Sequence, residues 1–360
     1  MATPLNTLKR LPVRGRGATH DVQSRFERLE RLQDDPSEDE IVSRQVATQI
    51  IHEAARSIVS TNDSPDVPFN RSVNPYAGCE HGCVYCFARP THGYRGLNPG
   101  LDFETKIIAK DNAAELLRSE LEKPSYRPET IVLGANTDPY QPIERELRLT
   151  RRILEVLTEC RHPTGIVTKG ALVLRDIDLL AELARFQAIH VCVSITSLDT
   201  KLSRIMEPRA SAPQRRLDTI RALAAAQVPV AVLVSPLIPA INDHEIEAIL
   251  EAAADAGATA ANSILVRLPW EVKELFEGWL DTHFAERKER VLQLIRQSRG
   301  GKLYDANWGN RMRGEGPYAQ MLFRRFEVAR QRLGLDRRSW EASAAHFRRP
   351  SGGQLSLELA

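Results

Sequence analysis

Asn74-Pro75-Tyr76-Ala77-Gly78-Cys79-Glu80-His81-Gly82-Cys83-Val84-Tyr85-Cys86-Phe87 sets three cysteines in a C-x3-C-x2-C spacing on a glycine-containing loop. The chain has five cysteines in all, and an odd number with three crowded into one segment does not suit a disulfide framework. Reduced thiols in such a pattern more often hold metal. Three thiolates on one short loop can bind three irons of a four-iron cluster and leave the fourth iron without a protein ligand. A structural zinc site is the competing reading, with His81 or His92 as a further ligand. Zinc sites usually take four ligands in two pairs, however, and no second C-x2-C pair follows.

Around that loop the chain alternates short apolar, β-branched runs with amphipathic stretches, the pattern of a parallel sheet with crossover helices. The runs predict strands over Asn70–Val73, Thr130–Ala135, Gly165–Thr168, His190–Thr196, Val230–Val234 and Ala260–Val266. Helices are expected over Asn112–Glu122, Thr150–Cys160, Asp176–Phe186, Pro213–Ala226 and Asp243–Ala256. Asn242 with Glu245 three residues on reads as a capping box for the last of these. Six β/α units in series make an α/β fold, an open partial (β/α)6 barrel, whose active-site groups gather at the C-terminal ends of the strands.

The 42 % hydrophobic and 27 % charged residues are those of an ordinary globular protein. No run of 18 apolar residues is present to span a bilayer, so no membrane partner is expected. Met1 to Gly17 lacks the apolar core of a secretory signal, which leads us to expect a cytoplasmic protein. The polar composition of residues 1–62 suggests a flexible arm, residues 63–270 the barrel, 271–347 an appended helical region and 348–360 a flexible tail. In the helical region Trp279, Phe284, Leu292, Ile295, Tyr304 and Trp308 can supply packing faces. Net charge is +2, yet from Ala285 to Pro350 basic residues exceed acidic ones by roughly nine, which suits either a polyanionic partner or a solvated set of arginine-rich helices.

The cysteine loop, with the aromatic Tyr85 just before its third cysteine, resembles the radical S-adenosylmethionine (SAM) superfamily. The likeness runs from about Val73 to Tyr318, through Gly134-Ala135-Asn136-Thr137-Asp138-Pro139-Tyr140-Gln141-Pro142 and Met206-Glu207-Pro208-Arg209. It is nearest the branch related to spore photoproduct lyase, which reverses a thymine lesion in DNA, while not being a clear lyase itself. The resemblance implies a 4Fe-4S cluster held by Cys79, Cys83 and Cys86, SAM on the open iron, reductive cleavage to a 5′-deoxyadenosyl radical, and an electron donor such as flavodoxin or ferredoxin. It implies that Tyr85 lies against the adenine.

The superfamily usually has Gly-Gly-Glu where this chain has Asn136-Thr137-Asp138, so the SAM amino group passes by position to the backbone, Thr137 or Asp138. Asp138 before Pro139 equally fits a turn. Lys169 and Ser194 fall near strand ends, where Lys169 could meet the SAM carboxylate or simply be solvated, and Ser194 the ribose or backbone. Glu207 and Arg209 could hold ribose and carboxylate or form a loop ion pair. Cys192 shares a strand face with Ser194; it is either a hydrogen-atom donor to substrate or a small buried hydrophobe. Cys160 reads as structural.

Gln354-Leu355-Ser356-Leu357-Glu358-Leu359 resembles the peptide by which bacterial polymerases and repair proteins dock on the replication sliding clamp, with Gln354, Leu355, Leu357 and Leu359 as the anchors. The expected activity is a radical SAM reaction on nucleic acid, including repair of a DNA lesion. The alternatives are modification of tRNA, a protein or a small metabolite, and a non-catalytic iron-sulfur protein that binds nucleic acid or the clamp.

Overall fold

The computed structural model describes residues 13, 15–26, 46–336 and 342–350. Among these residues ten strands form: β1 Gln49–Glu53, β2 Val59–Thr61, β3 Arg71–Val73, β4 Tyr76–Ala77, β5 Lys106–Lys110, β6 Ile131–Leu133, β7 Thr164–Thr168, β8 Ile189–Ser194, β9 Val230–Leu237 and β10 Ala260–Leu265. The larger sheet has the order β10-β9-β8-β7-β6-β3-β2. Its six strands from β3 to β10 pair in parallel, and β2 adds an antiparallel edge on β3. All six expected barrel strands are present, and because β10 and β2 are opposite edges the sheet is open, as an incomplete barrel must be.

Side chains alternate between the two faces. Ile131, Leu133, Ile166, Val191, Val193, Val232 and Val234 enter the main core with Leu117, Ile153, Leu157, Leu180, Ile220 and Ile249 from the helices. The opposite face carries smaller groups, where Cys192, Ala231 and Ala260 pack together with Val167 and Leu233.

The helices follow the expected periods: Ala113–Glu122, Leu149–Glu159, Ile177–Arg185, Pro213–Ala225 and Ile246–Asp255. Pro213 opens its helix, where its missing N–H is no loss. The expected capping box does not form. Asn242 Oδ1 accepts from Ile238 N at 2.7 Å and its amide donates to Thr196 O and Pro236 O, while Glu245 accepts from Ser197 Oγ and Leu198 N. Both side chains tie neighbouring loops together, a use of Asn and Glu that competes with capping.

The expected arm over residues 1–62 departs from the structure where the structure is described. β1 pairs in parallel with β5, which in turn pairs with β4, giving a separate three-stranded sheet whose strands β4 and β5 flank the cysteine loop. Ala18 and Val22 are buried against Leu275. The helical region is continuous with the barrel: Trp279, Phe276, Leu280, Val291 and Ile295 share one apolar cluster with Cys83, Val84, Tyr85 and Met206. Trp308 is exposed and contributes nothing to that core. Arg348 and Arg349, expected at the start of a loose tail, donate to Glu159 O and Lys123 O. The clamp-like peptide Gln354–Leu359 lies outside the described residues. Among those residues no helix is long and apolar enough to cross a membrane.

Candidate active site

The cysteine loop follows β4 rather than β3 directly, and it is held by its own backbone and by three other segments. Cys79 N donates to Phe103 O at 2.8 Å and Cys86 N to Cys83 O at 3.2 Å. The guanidinium of Arg89, fully buried, gathers Cys83 O at 2.9 Å, Gly82 O at 3.2 Å and Gly100 O at 2.9 Å, and pairs with the equally buried Glu104 at 2.5 Å. Glu104 also accepts from Gly17 N at 2.9 Å and Ala18 N at 2.8 Å, which straps the N-terminal segment onto the loop. A Cβ on Gly17 would stand 1.8 Å from Gly82 O, so only glycine allows this approach.

The two other quoted segments close on the same loop. From the β6 side, Gln141 Oε1 accepts from Glu80 N at 2.9 Å, and Glu80 Oε2 accepts from Ile143 N at 2.6 Å. From the β8 side, Val84 N donates to Met206 O at 3.1 Å and Arg209 N to His81 O at 3.3 Å. Motifs far apart in the chain thus meet at the C-terminal ends of the parallel strands.

Tyr85, Lys169 and Glu207 come together there, joined by Thr196 and Arg216. The Tyr85 hydroxyl donates to Glu207, Thr196 Oγ1 donates to Glu207 at 2.5 Å, and Arg216 forms an ion pair with the same carboxylate. Burial alone would push Glu207 up, but Arg216 and Lys169 beside it prevail and hold its pKa down at about 2. The ammonium of Lys169 lies 5.9 Å from the Tyr85 ring centre. Burial opposes its charge, yet Cys83 and Glu207 facing it raise its pKa.

The three thiols are free and lie within electrostatic reach of one another. Burial pushes all three thiols up, Cys79 well above the ordinary thiol value and Cys83 to about 12. Among the described residues no three His, Cys, Asp or Glu side chains converge closely enough for a single metal ion. An all-sulfur donor set spread along one loop fits a cluster in which each sulfur takes a different iron.

Other expected contacts are engaged elsewhere. Asp138 accepts from Thr168 Oγ1 at 2.7 Å, Lys169 N at 2.7 Å and Tyr140 N at 2.8 Å, and pairs with His81 at 3.2 Å. Burial would raise its pKa, but His81 and these donors lower it to about 2, so it is a charged anchor joining two loops. Thr137 Oγ1 donates to Tyr76 O at 2.7 Å, and Asn136 N donates to Asn74 Oδ1 at 3.1 Å. Arg209 pairs with Glu80 at 2.8 Å and donates to Thr48. Ser194 Oγ donates to Ser235 O at 3.1 Å. Cys192 shares its face but is fully enclosed one layer below, against Ala231 and Ala260.

Sequence reasoning missed Arg216, Thr196, the Arg89–Glu104 pair and the Gly15-Arg16-Gly17-Ala18 strap. The paired glycines in an otherwise charged arm were the one available signal, because glycine marks close backbone approach.

A family model described as the Radical SAM superfamily matches residues 73–253. The chain belongs to the radical SAM superfamily. An uncharacterized protein of Mycobacterium tuberculosis is 40 % identical over 233 residues, covering 64 % of this chain and 68 % of its own length. Another, of Methanocaldococcus jannaschii, is 31 % identical over 173 residues, 48 % of this chain and 62 % of its own. Spore photoproduct lyase complexed with dinucleoside spore photoproduct superposes with a TM-score of 0.57 at 15 % identity over 79 % of each chain. A mutant of that lyase with bound AdoMet and the same dinucleoside gives 0.57 at 15 % identity over 81 % of this chain and 85 % of its own. At that identity the likeness establishes the shared fold. Radical SAM proteins use a 4Fe-4S cluster and SAM, so these two are the cofactors of this chain, and the family needs a reductant as electron donor.

Proposed function

We propose that Cys79, Cys83 and Cys86 each bind one iron of the cluster and that the chain is an enzyme acting on nucleic acid, with DNA lesions as the favoured substrate. The observation that carries the radical chemistry is the three-thiol loop seated at the C-terminal mouth of a parallel sheet, beside a partly buried lysine that faces Cys83 and the ring of Tyr85. The nucleic-acid half of the reading is supported by the fold shared with a lyase solved with a dinucleoside. A reduced cluster held by these three thiols would supply one electron to the sulfonium of SAM, whose C5′–S bond would break to give methionine and a 5′-deoxyadenosyl radical.

The chain's own residues hold and orient. Lys169 is the cation for the SAM carboxylate, since its charge persists despite burial. Glu207 is a positioning residue: saturated by Tyr85, Thr196 and Arg216, it fixes the ring of Tyr85 rather than reaching a ribose. Asp138 does the same for the loops after β6 and β7. Cys192, enclosed by small side chains, acts as a packing residue in this reading. The free cysteines suit a reducing compartment such as the cytoplasm, with a flavodoxin or ferredoxin as donor. Docking on the sliding clamp through Gln354, Leu355, Leu357 and Leu359 would bring the enzyme to replicating DNA.

Anaerobic reconstitution with iron and sulfide, followed by dithionite and SAM, is expected to yield 5′-deoxyadenosine, and Cys83→Ala is expected to bind less iron and yield none. Oligonucleotides carrying lesions should accelerate the release. A reconstituted chain that binds a full complement of iron but never cleaves SAM, with or without nucleic acid, would overturn the reading.

A further inference from the structure

We propose that Phe26, Tyr94 and Trp270, grouped around Arg25, form a stacking platform for unpaired nucleobases beside the active site. The inference rests on the nucleic-acid reading above and specifies its form: single-stranded or locally opened nucleic acid rather than intact duplex.

The three rings are 49 %, 70 % and 54 % exposed, although each is a large apolar surface. Single exposed aromatics are common, but these share one guanidinium. The Cζ atom of Arg25 lies 4.2 Å from the Trp270 ring centre, 4.6 Å from Phe26 and 5.3 Å from Tyr94. Phe26 and Tyr94 sit 5.0 Å apart at 46°. Glu271 accepts from the backbone and side chain of Arg25 at 3.1 Å, which fixes the cation under the rings.

The backbone is arranged to present this surface. Trp270 has φ of 45°, in the left-handed region that bulky L residues rarely adopt, and it carries its indole outward. Gly93 lets Phe26 lie on the main chain, for a Cβ there would meet the ring at 2.9 Å.

The position ties the platform to the reaction site. Tyr94 lies in the 3-10 segment Arg89–Arg95 that leaves the cysteine loop, and Trp270 follows β10, the open edge of the sheet. The same two segments meet again where Arg267 stands 5.2 Å over the ring of Phe87, the exposed neighbour of Cys86. On β10 itself Asn262 is exposed on the face away from the helices. The rings match the π faces of the bases, and Arg267 over Phe87, rather than the Glu271-paired Arg25, meets the negative charge of the phosphates. A duplex hides the π faces.

The test is fluorescence anisotropy of the full-length protein with labelled oligothymidylate of about 16 nucleotides, the matching oligouridylate, and a duplex competitor. The wild type is expected to bind the single strands in preference to the duplex, and the two single strands report whether DNA or RNA is favoured. Trp270→Ala and Tyr94→Ala should each weaken binding roughly ten-fold, while Trp270→Phe and Tyr94→Phe retain it. Tyr94 is so exposed that its removal leaves the fold intact, and melting curves verify this. Equal binding by both alanine variants, or equal competition by duplex, overturns the platform while leaving the nucleic-acid reading standing. A wild-type protein that cleaves SAM but binds none of these probes, and whose cleavage no lesion-bearing oligonucleotide accelerates, overturns both.

Discussion

Glu207 is the residue on which the largest number of site side chains converge, because it neutralises Arg216 and Lys169 and orients Tyr85. Removing one partner of a buried ion pair leaves the other charge without compensation, at a cost of about 3–5 kcal/mol. Glu207→Gln should therefore lower the unfolding free energy of the metal-free protein, read from urea titration, by that order, since Arg216 is buried and donates otherwise to the carbonyls of Ser194 and Ser211. The double variant Glu207→Gln with Arg216→Met should recover part of the loss. If the two losses simply add, the pair is not coupled and Glu207 has no organising role. The alternation of strand β8 made Ser194 and Cys192 legible as neighbours, but it could not say which lies at the surface of the site. Arg216 was invisible for another reason: on the helix Pro213–Ala225 one arginine among several looks solvated until the loop before it folds back.

At the scale of elements, the cysteine loop is a composite of four chain segments, and the strap at Gly15–Ala18 is the one that sequence composition concealed. A Cβ at Gly17 would drive into Gly82 O, a backbone atom that cannot swing away. Gly17→Ala should therefore release the strap, leaving Glu104 to serve Arg89 alone. Limited proteolysis of the metal-free variant is expected to cut near residues 15–26 at least several-fold faster than wild type, with the melting temperature lowered; cutting at an unchanged rate would refute the strap. β6, β7, β8 and β9 were readable as short runs rich in β-branched residues, and β3 and β10, Arg-Ser-Val and Ala-Ala-Asn-Ser-Ile-Leu, by their place in the β/α alternation. β1 and β5 escaped because Ile50-Ile51 and Ile107-Ile108 are brief apolar islands among polar and charged neighbours, and their strand character shows in their pairing with each other. The capping-box reading failed for the converse reason, as both of its side chains found longer-range partners.

Across the whole molecule, the helical C-terminal region and the cysteine loop are one packed unit, although the sequence reads them as barrel and appendage. Trp279, fully buried, stacks on Phe276 with ring centres 5.6 Å apart and donates its indole N–H to Ile205 O at 3.0 Å. The next residue, Met206, accepts from Val84 N between the second and third cysteines. A perturbation at Trp279 therefore reaches the loop through one peptide unit. Trp279→Ala should cost about 3–5 kcal/mol by opening a cavity in this shared core. It should also lower the iron retained after anaerobic reconstitution, although residue 279 lies far along the chain from any cysteine. Trp279→Phe keeps most of the volume and loses the hydrogen bond, so it should fall between the two in urea stability and hold more iron than the alanine variant. Loss of stability with full iron retention in both variants would mean that the two regions fold together without communicating. Parallel losses in both quantities would mean that the helices beyond β10 belong to the cofactor site, and that a chain shortened to the barrel alone would leave Cys83, Val84 and Tyr85 with an exposed apolar underside.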